Sequence, residues 1–82
     1  MKFKVLFFAT VKLRTGVSNA EFDLDIDQPK IQDLLNEVER RYPKIGPSMG
    51  TLLVAVNKEF AAKDQIIRDG DELALFPPVS GG

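Results

Sequence analysis

The sequence contains no cysteine and no histidine. A chain without cysteine has no disulfide, no thiolate nucleophile and no zinc–thiolate site. A chain without histidine lacks the usual general base near neutral pH and cannot build a Ser-His-Asp triad. Serines and carboxylates are present, but the two absences argue against self-contained catalysis. We therefore predict that the isolated chain is not an enzyme.

Strong net charge and long hydrophobic runs are also missing. The net charge is −1, which gives no reason to expect a nucleic acid or an anionic membrane as a partner. No stretch approaches the length of a transmembrane helix. Residues 1–10 hold only a short apolar run, without the longer core and cleavage site of a signal peptide. The 82 residues therefore predict one small cytoplasmic domain.

The acidic residues Asp69, Asp71 and Glu72 surround Gly70 and raise the question of a metal site. They lack the ligand spacing of a calcium-binding loop. An Asp-Gly-Asp sequence is, however, a strong turn signal. We therefore predict a capped turn and no metal site.

Two segments near the start of the chain alternate as β-strands do. In residues 2–11 one predicted face is Phe3, Val5, Phe7 and Ala9, and the other is Lys4, Leu6, Phe8 and Thr10. Residues 12–19 are predicted as a loop. In the next strand the apolar positions are Phe22, Leu24 and Ile26, alternating with Glu21, Asp23 and Asp25. Together the segments predict a hairpin with one buried face.

An apolar stripe at helical spacing follows the second strand. Its members are Ile31, Leu34, Leu35, Val38 and Tyr42. Asp27 or Gln28 is predicted near the helix start, with Pro29 in the first turn and Pro43 after the end.

The second half of the chain predicts three more strands. Residues 44–50 contain Gly46, Pro47 and Gly50 and are predicted as a loop. Residues 51–57 are almost continuously apolar and predict a central strand. Residues 60–62 predict a short edge strand, and residues 72–76 predict the last strand. A hairpin, a helix across one face and a returning pair of strands make an α+β fold.

The final residues, Pro77-Pro78-Val79-Ser80-Gly81-Gly82, form a segment that we expect to leave the domain. Two prolines favour an extended path, and two glycines bring no side chain to the end. Six extended residues reach ~20 Å beyond the last strand. We predict a domain over residues 1–76 and an extended tail over residues 77–82, whose carboxylate can enter a narrow slot in another protein. The alternative is a frayed chain end.

Several stretches carry a family resemblance along the chain. They are Val5-Leu6-Phe7-Phe8-Ala9, Val56-Asn57, Asp64, Asp69-Gly70-Asp71-Glu72-Leu73 and Phe76-Pro77-Pro78-Val79-Ser80-Gly81-Gly82. The combination closely resembles the MoaD family, the small subunits of molybdopterin synthase, and it covers essentially the whole chain. The resemblance implies a ubiquitin-like β-grasp fold. In that fold a mixed sheet packs on one main helix, the first and last strands are parallel neighbours, and a flexible Gly-Gly tail ends the chain.

The resemblance also implies a function, that of a sulfur carrier in molybdenum cofactor biosynthesis. An adenylyltransferase related to ubiquitin-activating enzymes would use ATP to adenylate Gly82. A sulfur donor protein would then supply the sulfur of a terminal thiocarboxylate. In the large subunit of molybdopterin synthase, this sulfur would pass to cyclic pyranopterin monophosphate and build the molybdopterin dithiolene. The chain would bind no cofactor itself, and the catalytic groups would lie on the large subunit of a heterotetramer.

The implied site residues fall into the tail and a docking surface. By resemblance Gly82 would carry the acyl-adenylate and the thiocarboxylate. Gly81 would let the tail pass a narrow tunnel, because a Cβ there would meet the tunnel wall or restrict the extended path. The residues lining that passage would be Pro77, Pro78, Val79 and Ser80. A separate inference comes from strand alternation. If the first and last strands are neighbours, their outward-facing apolar residues share one face of the sheet and form an exposed patch for partner binding. Its members would be Leu6, Phe8, Ala74 and Phe76. The alternative is that a loop or the short strand covers them.

Three other functions fit the same ending less fully. A thiamine- or tRNA-type sulfur carrier would share the activation chemistry but usually lacks the Pro-Pro-Val-Ser sequence. A ubiquitin-like protein modifier would attach its terminal glycine to lysines. An inert ubiquitin-like interaction module would work without the two last glycines.

Overall fold

A computed structural model describes residues 1–78. In chain order the elements are β1 (Lys2–Phe7), α1 (Ala9–Thr15), β2 (Asn19–Asp23), α2 (Ile31–Arg41), a 3₁₀ helix (Pro43–Thr51), β3 (Leu53–Val56), β4 (Glu59–Phe60) and β5 (Glu72–Phe76). The strands form one sheet in the order β2-β1-β5-β3-β4. The β1–β5 pair is parallel, and the other pairs are antiparallel. The predicted α+β fold and the parallel first and last strands are confirmed.

One face of the sheet and one face of α2 form the core. Alternation in the strands buries Phe3, Val5, Phe7, Leu73 and Leu75. The predicted helical stripe is also buried, and its helical members are Ile31, Leu34, Leu35 and Val38. Tyr42 lies just past the helix and meets the Phe7 ring edge-on, with ring centroids 5.7 Å apart. The core face of the sheet was therefore predicted correctly over these strands.

The start of α2 differs from the prediction. The N-cap is Lys30, and its backbone N–H donates to the Asp33 carboxylate at 2.8 Å. Pro29 lies before the cap rather than in the first turn, and its carbonyl accepts from Ile67 N–H at 2.8 Å. The segment after β4 also supplies carbonyls to the first N–H groups of the helix, from Gln65 to Ile31 at 3.0 Å. A tertiary contact therefore fixes the helix start, which local cap preferences did not reveal.

The predicted first strand is too long, and the predicted loop after it contains a helix. β1 ends at Phe7, and Ala9 adopts a positive φ of 52° that turns the chain out of the sheet. The Phe8 carbonyl then accepts from Val11 N–H at 3.0 Å, which begins α1. Gly16, in a left-handed conformation, ends α1. Ala9 and Thr10 therefore do not continue the strand alternation.

Four further boundaries are corrected. β2 ends at Asp23, where the β1 ladder also ends, so Ile26 is exposed rather than buried. Residues 44–50 lie within a 3₁₀ helix, which buries Ile45 and Met49, and are not a loop. β3 is shorter than predicted and lies beside the true central strand, β5. β4 covers only Glu59–Phe60.

The C-terminal ends of β1 and β5 meet at one end of the sheet, because the two strands are parallel. Phe8 N–H donates to the Leu75 carbonyl at 3.2 Å there. β5 ends at Phe76, the last residue of the predicted domain; Pro77 is half-buried and Pro78 is exposed. We call this end of the sheet the tail-exit end. The predicted tail residues Val79, Ser80, Gly81 and Gly82 lie outside the described residues.

Over residues 1–78, no helix has the length and apolar character needed to cross a membrane.

Candidate functional site

The open face of the sheet carries a row of apolar side chains. Strand register sets this row, because residues paired across strands point to the same face. Leu6 pairs with Ala74, and Ala74 pairs with Ala55 on the next strand. Ala55 pairs in turn with Phe60 on the edge strand. The row therefore runs across four strands, with small residues in the middle and larger ones at both ends.

Two aromatic rings, Phe8 and Phe76, lie beside this row at the tail-exit end, and Phe60 ends the row on the edge strand. Phe8 and Phe76 stack with centroids 4.7 Å apart and planes 7° from parallel. Phe60 lies 6.1 Å from Phe76 at an angle of 60°, and 74% of Phe60 is exposed. The rings and the row enclose a shallow depression of about 320 Å³, bordered by Lys58 and Glu72. We call Leu6, Phe8, Phe60, Ala74 and Phe76 the apolar patch.

The structure brings together the four residues predicted for this surface. Leu6, Phe8, Ala74 and Phe76 all line the depression; Phe8 is exposed and the other three are half-buried. Phe60 of the short strand β4 lies against Phe76 and covers part of it. Their role in binding a partner stays a prediction. Of the tail residues, only Pro77 and Pro78 are among those described.

The sequence pattern did not predict that Phe60 and Ala55 lie on the open face. Phe60 belongs to a two-residue strand after a turn in which Asn57 and Lys58 have positive φ values of 50° and 74°. Strand alternation does not continue through such a turn, so the sequence could not predict on which face of the sheet Phe60 lies. A lone phenylalanine after three polar residues was nevertheless a signal of an exposed aromatic side chain.

The acidic turn is held by hydrogen bonds that its carboxylates accept from backbone and side-chain N–H groups. Asp71 accepts from Arg68 N–H at 2.8 Å and from the Asn57 side-chain amide at 3.0 Å. Asp69 accepts from Lys2 N–H at 2.6 Å. Asn57 in turn accepts from Glu72 N–H at 3.0 Å. These carboxylates therefore tie the β3–β4 turn to the starts of β1 and β5, at the end of the sheet opposite the tail exit.

The ionisable pair with shifted pKa values lies on α2, away from the apolar patch. Arg40 donates to Glu37 at 2.6 Å. This hydrogen bond lowers the pKa of Glu37 below its ordinary value and raises the pKa of Arg40. The pair stabilises the surface of the helix and offers no group to the open face.

A five-stranded mixed sheet packed on one main helix places the chain in the ubiquitin-like β-grasp class. The chain superimposes on SAMP1, a small archaeal modifier protein from Haloferax volcanii, with a TM-score of 0.87. Sequence identity is 29%, and the match covers 100% of both chains. The predicted β-grasp fold is thereby confirmed.

The sequence also identifies the family within this class. The ThiS family pattern matches residues 5–82. A molybdopterin synthase sulfur carrier subunit from Dictyostelium discoideum is 39% identical, over 99% of this chain and 96% of that protein. The subunit of the same name from Escherichia coli is 37% identical, over 96% of this chain and 98% of that protein. The chain therefore belongs to the ThiS family, and its resemblance to the small subunits of molybdopterin synthase is confirmed.

Proposed function

We propose that this chain is the sulfur carrier subunit of molybdopterin synthase, acting in molybdenum cofactor biosynthesis. The observation that carries the proposal is the position of the apolar patch. It lies on the open face and reaches the tail-exit end through Phe8 and Phe76. A partner docked on the patch would thus be placed where the chain leads into Pro77-Pro78-Val79-Ser80-Gly81-Gly82. Full-length similarity to proteins that bear this name supports the assignment.

The chemistry follows from the terminal carboxylate. A carboxylate is a poor acyl electrophile, so a partner adenylyltransferase first transfers AMP from ATP to Gly82 and releases pyrophosphate. A sulfur donor protein then delivers sulfur at the sulfide oxidation level, which attacks the acyl carbon, displaces AMP and leaves a thiocarboxylate on Gly82. This group is a nucleophile that needs no cysteine on the carrier, in agreement with a sequence that has none. The proposal requires Gly82 to bear the terminal carboxylate of the mature protein.

The tail delivers that sulfur to the large subunit. Pro77 and Pro78 restrict the chain to an extended course, and six extended residues reach ~20 Å from β5. Residues 77–80 line a passage into the large subunit, and Gly81 fits its narrowest part. There two loaded carriers in turn each give one sulfur to cyclic pyranopterin monophosphate, which supplies the two sulfurs of the molybdopterin dithiolene. Water cleaves each acyl–sulfur bond, so each carrier is left with an ordinary carboxylate on Gly82.

The apolar patch holds the large subunit while the tail is inserted. Exposed aromatic side chains near the centre of an interface often supply most of its binding energy. Phe8 and Phe60 are exposed and Phe76 is half-buried, and all three stand around small residues, so a protruding apolar group can approach the sheet closely. Lys58 and Glu72 form a charged rim on one side.

Catalysis belongs to the complex and not to the isolated chain. The sequence lacks histidine and cysteine, and among the described residues the ionisable side chains that line the depression are those of Lys58 and Glu72, at its rim. We place the catalytic groups on the large subunit, in a cytoplasmic heterotetramer with two small subunits on a large-subunit dimer.

Reconstitution of the transfer step tests the proposal. The chain, prepared with a C-terminal thiocarboxylate, is mixed with the large subunit and cyclic pyranopterin monophosphate, and dithiolene formation is followed. We expect product only with the thiocarboxylate form and at most one sulfur per carrier. The matched control is the same chain with an ordinary carboxylate. No product from a carrier shown to be loaded and bound would contradict the proposal.

A protein modifier is the second candidate, favoured by the similarity to the small archaeal modifier protein. The two functions leave different products in the cell. Arg68 is the last basic residue, so trypsin releases residues 69–82 as one peptide. A modifier yields this peptide linked by an amide bond to a lysine of another protein. A carrier yields it with a free thiocarboxylate.

A further inference from the structure

Helix α1 stands out because it contributes little to the core. Of its seven residues only Val11 is buried. Leu13 is 81% exposed, more than any other large hydrophobic side chain among residues 1–78. Its neighbours Lys12 and Arg14 are also exposed. Folding therefore does not explain why a leucine stands between two basic residues here.

The helix lies at the tail-exit end of the sheet. Phe8 joins the two, because its N–H donates to the Leu75 carbonyl and its carbonyl accepts from Lys12 N–H at 3.4 Å. α1 also packs against β5 and the 3₁₀ helix. Any protein that receives residues 77–82 in a slot must sit over this end, and its surface around the slot then meets α1.

The charge around α1 has one sign. Residues 8–20 contain Lys12 and Arg14 and no acidic residue, and the adjoining 3₁₀ helix contains Lys44 and no acidic residue. The acidic residue of β5, Glu72, is four positions before Phe76, ~13 Å along the strand. Basic residues in a last turn suit the helix dipole. The dipole, however, gives no reason for an exposed leucine between them.

We infer that Lys12, Leu13 and Arg14 form a second contact surface for the large subunit of molybdopterin synthase, separate from the apolar patch. The complementary surface is a rim of acidic residues around the slot that takes the tail. Leu13 contacts an apolar group within that rim. This inference rests on the proposed function.

The physical effect of such a surface is mainly on association. Opposite charges at the edge of an interface speed the encounter of two proteins and orient them, and salt weakens the effect. The basic residues of α1 would thus turn the tail-exit end toward the slot before the tail enters. Dissociation would depend more on the apolar patch.

The test compares charge variants in binding to the large subunit, with association and dissociation rates measured at low and high salt. The reversal variant is Lys12→Glu with Arg14→Glu, and the milder variant is Lys12→Gln with Arg14→Gln. The control is Lys30→Glu with Arg68→Glu, which changes net charge equally at exposed positions away from α1. Circular dichroism and thermal unfolding show that each variant is folded.

We expect the reversal to slow association by about tenfold at low salt, and the Gln variant to slow it by about threefold. Both differences should shrink at about 0.5 M salt, while dissociation changes little. Equal rates for wild type and the reversal variant would overturn the inference, as would an equal slowing by the control. In both cases wild-type binding leaves the proposed function standing. If the wild type does not bind at all, the proposed function and this inference both fail.

Discussion

The ring of Phe8 lies flat on the ring of Phe76, with centroids 4.7 Å apart and planes 7° from parallel. The two residues are 68 positions apart in sequence, yet they follow or end parallel neighbouring strands. The stack therefore joins the start of the chain to the point where the tail begins. It also forms the end of the apolar patch nearest the proposed slot.

Removing one of these rings should weaken binding of the large subunit. For Phe8→Ala or Phe76→Ala we expect a loss of about 2 kcal/mol, or about 30-fold in Kd, because each ring supplies contact area and holds the other in place. Calorimetric titration measures the change. Ile26→Ala is the matched control, since Ile26 is similarly exposed but lies outside the patch. A control that loses as much affinity would show that the patch has no special role.

The neighbouring Phe7 should behave in the opposite way. Phe7 is only 2% exposed and packs against Tyr42, so Phe7→Ala should lower the free energy of unfolding by about 3–5 kcal/mol. Phe8→Ala should lower it by about 1 kcal/mol, the scale of one aromatic contact. Urea unfolding of both variants separates the two roles. Equal stability losses would place Phe8 in the core and remove it from the docking surface.

Gly81→Ala should reduce sulfur transfer without unfolding the domain. A Cβ in the narrow part of the passage displaces the terminal thiocarboxylate, and a displacement of ~1 Å can cost about 100-fold in rate. Single-turnover transfer from the loaded carrier measures this loss. Gly50→Ala is the control, because a Cβ there meets no atom within 4 Å and needs no unusual backbone conformation. A loaded Gly81→Ala protein with full transfer activity would refute a narrow passage.

Stability should carry a small pH dependence from α2. The hydrogen bond from Arg40 lowers the pKa of Glu37 from 4.5. A lowered carboxyl pKa stabilises the fold above the unfolded-state value, and this contribution is lost as pH falls through the folded-state value. Glu37→Gln should therefore lower the unfolding temperature at neutral pH and have less effect once the pH falls below the folded-state pKa of Glu37. A difference that grows on acidification would contradict this sign.

Elements with a long, regular pattern were predictable from sequence. Alternation placed Phe3, Val5 and Phe7 on the core face, and helical spacing identified the buried side of α2. Parallel pairing of β1 and β5 came from the family resemblance, and with it strand alternation placed Phe8 and Phe76 side by side. In the strands and in α2, many residues follow the same hydrophobic period, and their packing in one core requires that period.

Short elements were not predictable. α1 buries only Val11, so no apolar stripe marks it as a helix. It also follows the alternating residues of β1 with no glycine or proline between them, so the alternation of the sequence continues into it. Phe60 was missed for a related reason, since its side of the sheet depends on a turn with two positive φ values. Both features sit at the tail-exit end or on the open face. They are fixed by contacts between distant parts of the chain.

The central claim, that Gly82 carries sulfur, has a direct test. The protein is co-expressed with its adenylyltransferase and sulfur donor, treated with a thiol-alkylating reagent and digested with trypsin. The peptide of residues 69–82 contains no cysteine and no methionine, so neither thiol alkylation nor methionine oxidation within it can imitate the result. We predict that mass spectrometry finds the replacement of oxygen by sulfur, and the alkyl group, on Gly82. An unmodified carboxylate on Gly82, with both partners shown to be active, would contradict the account.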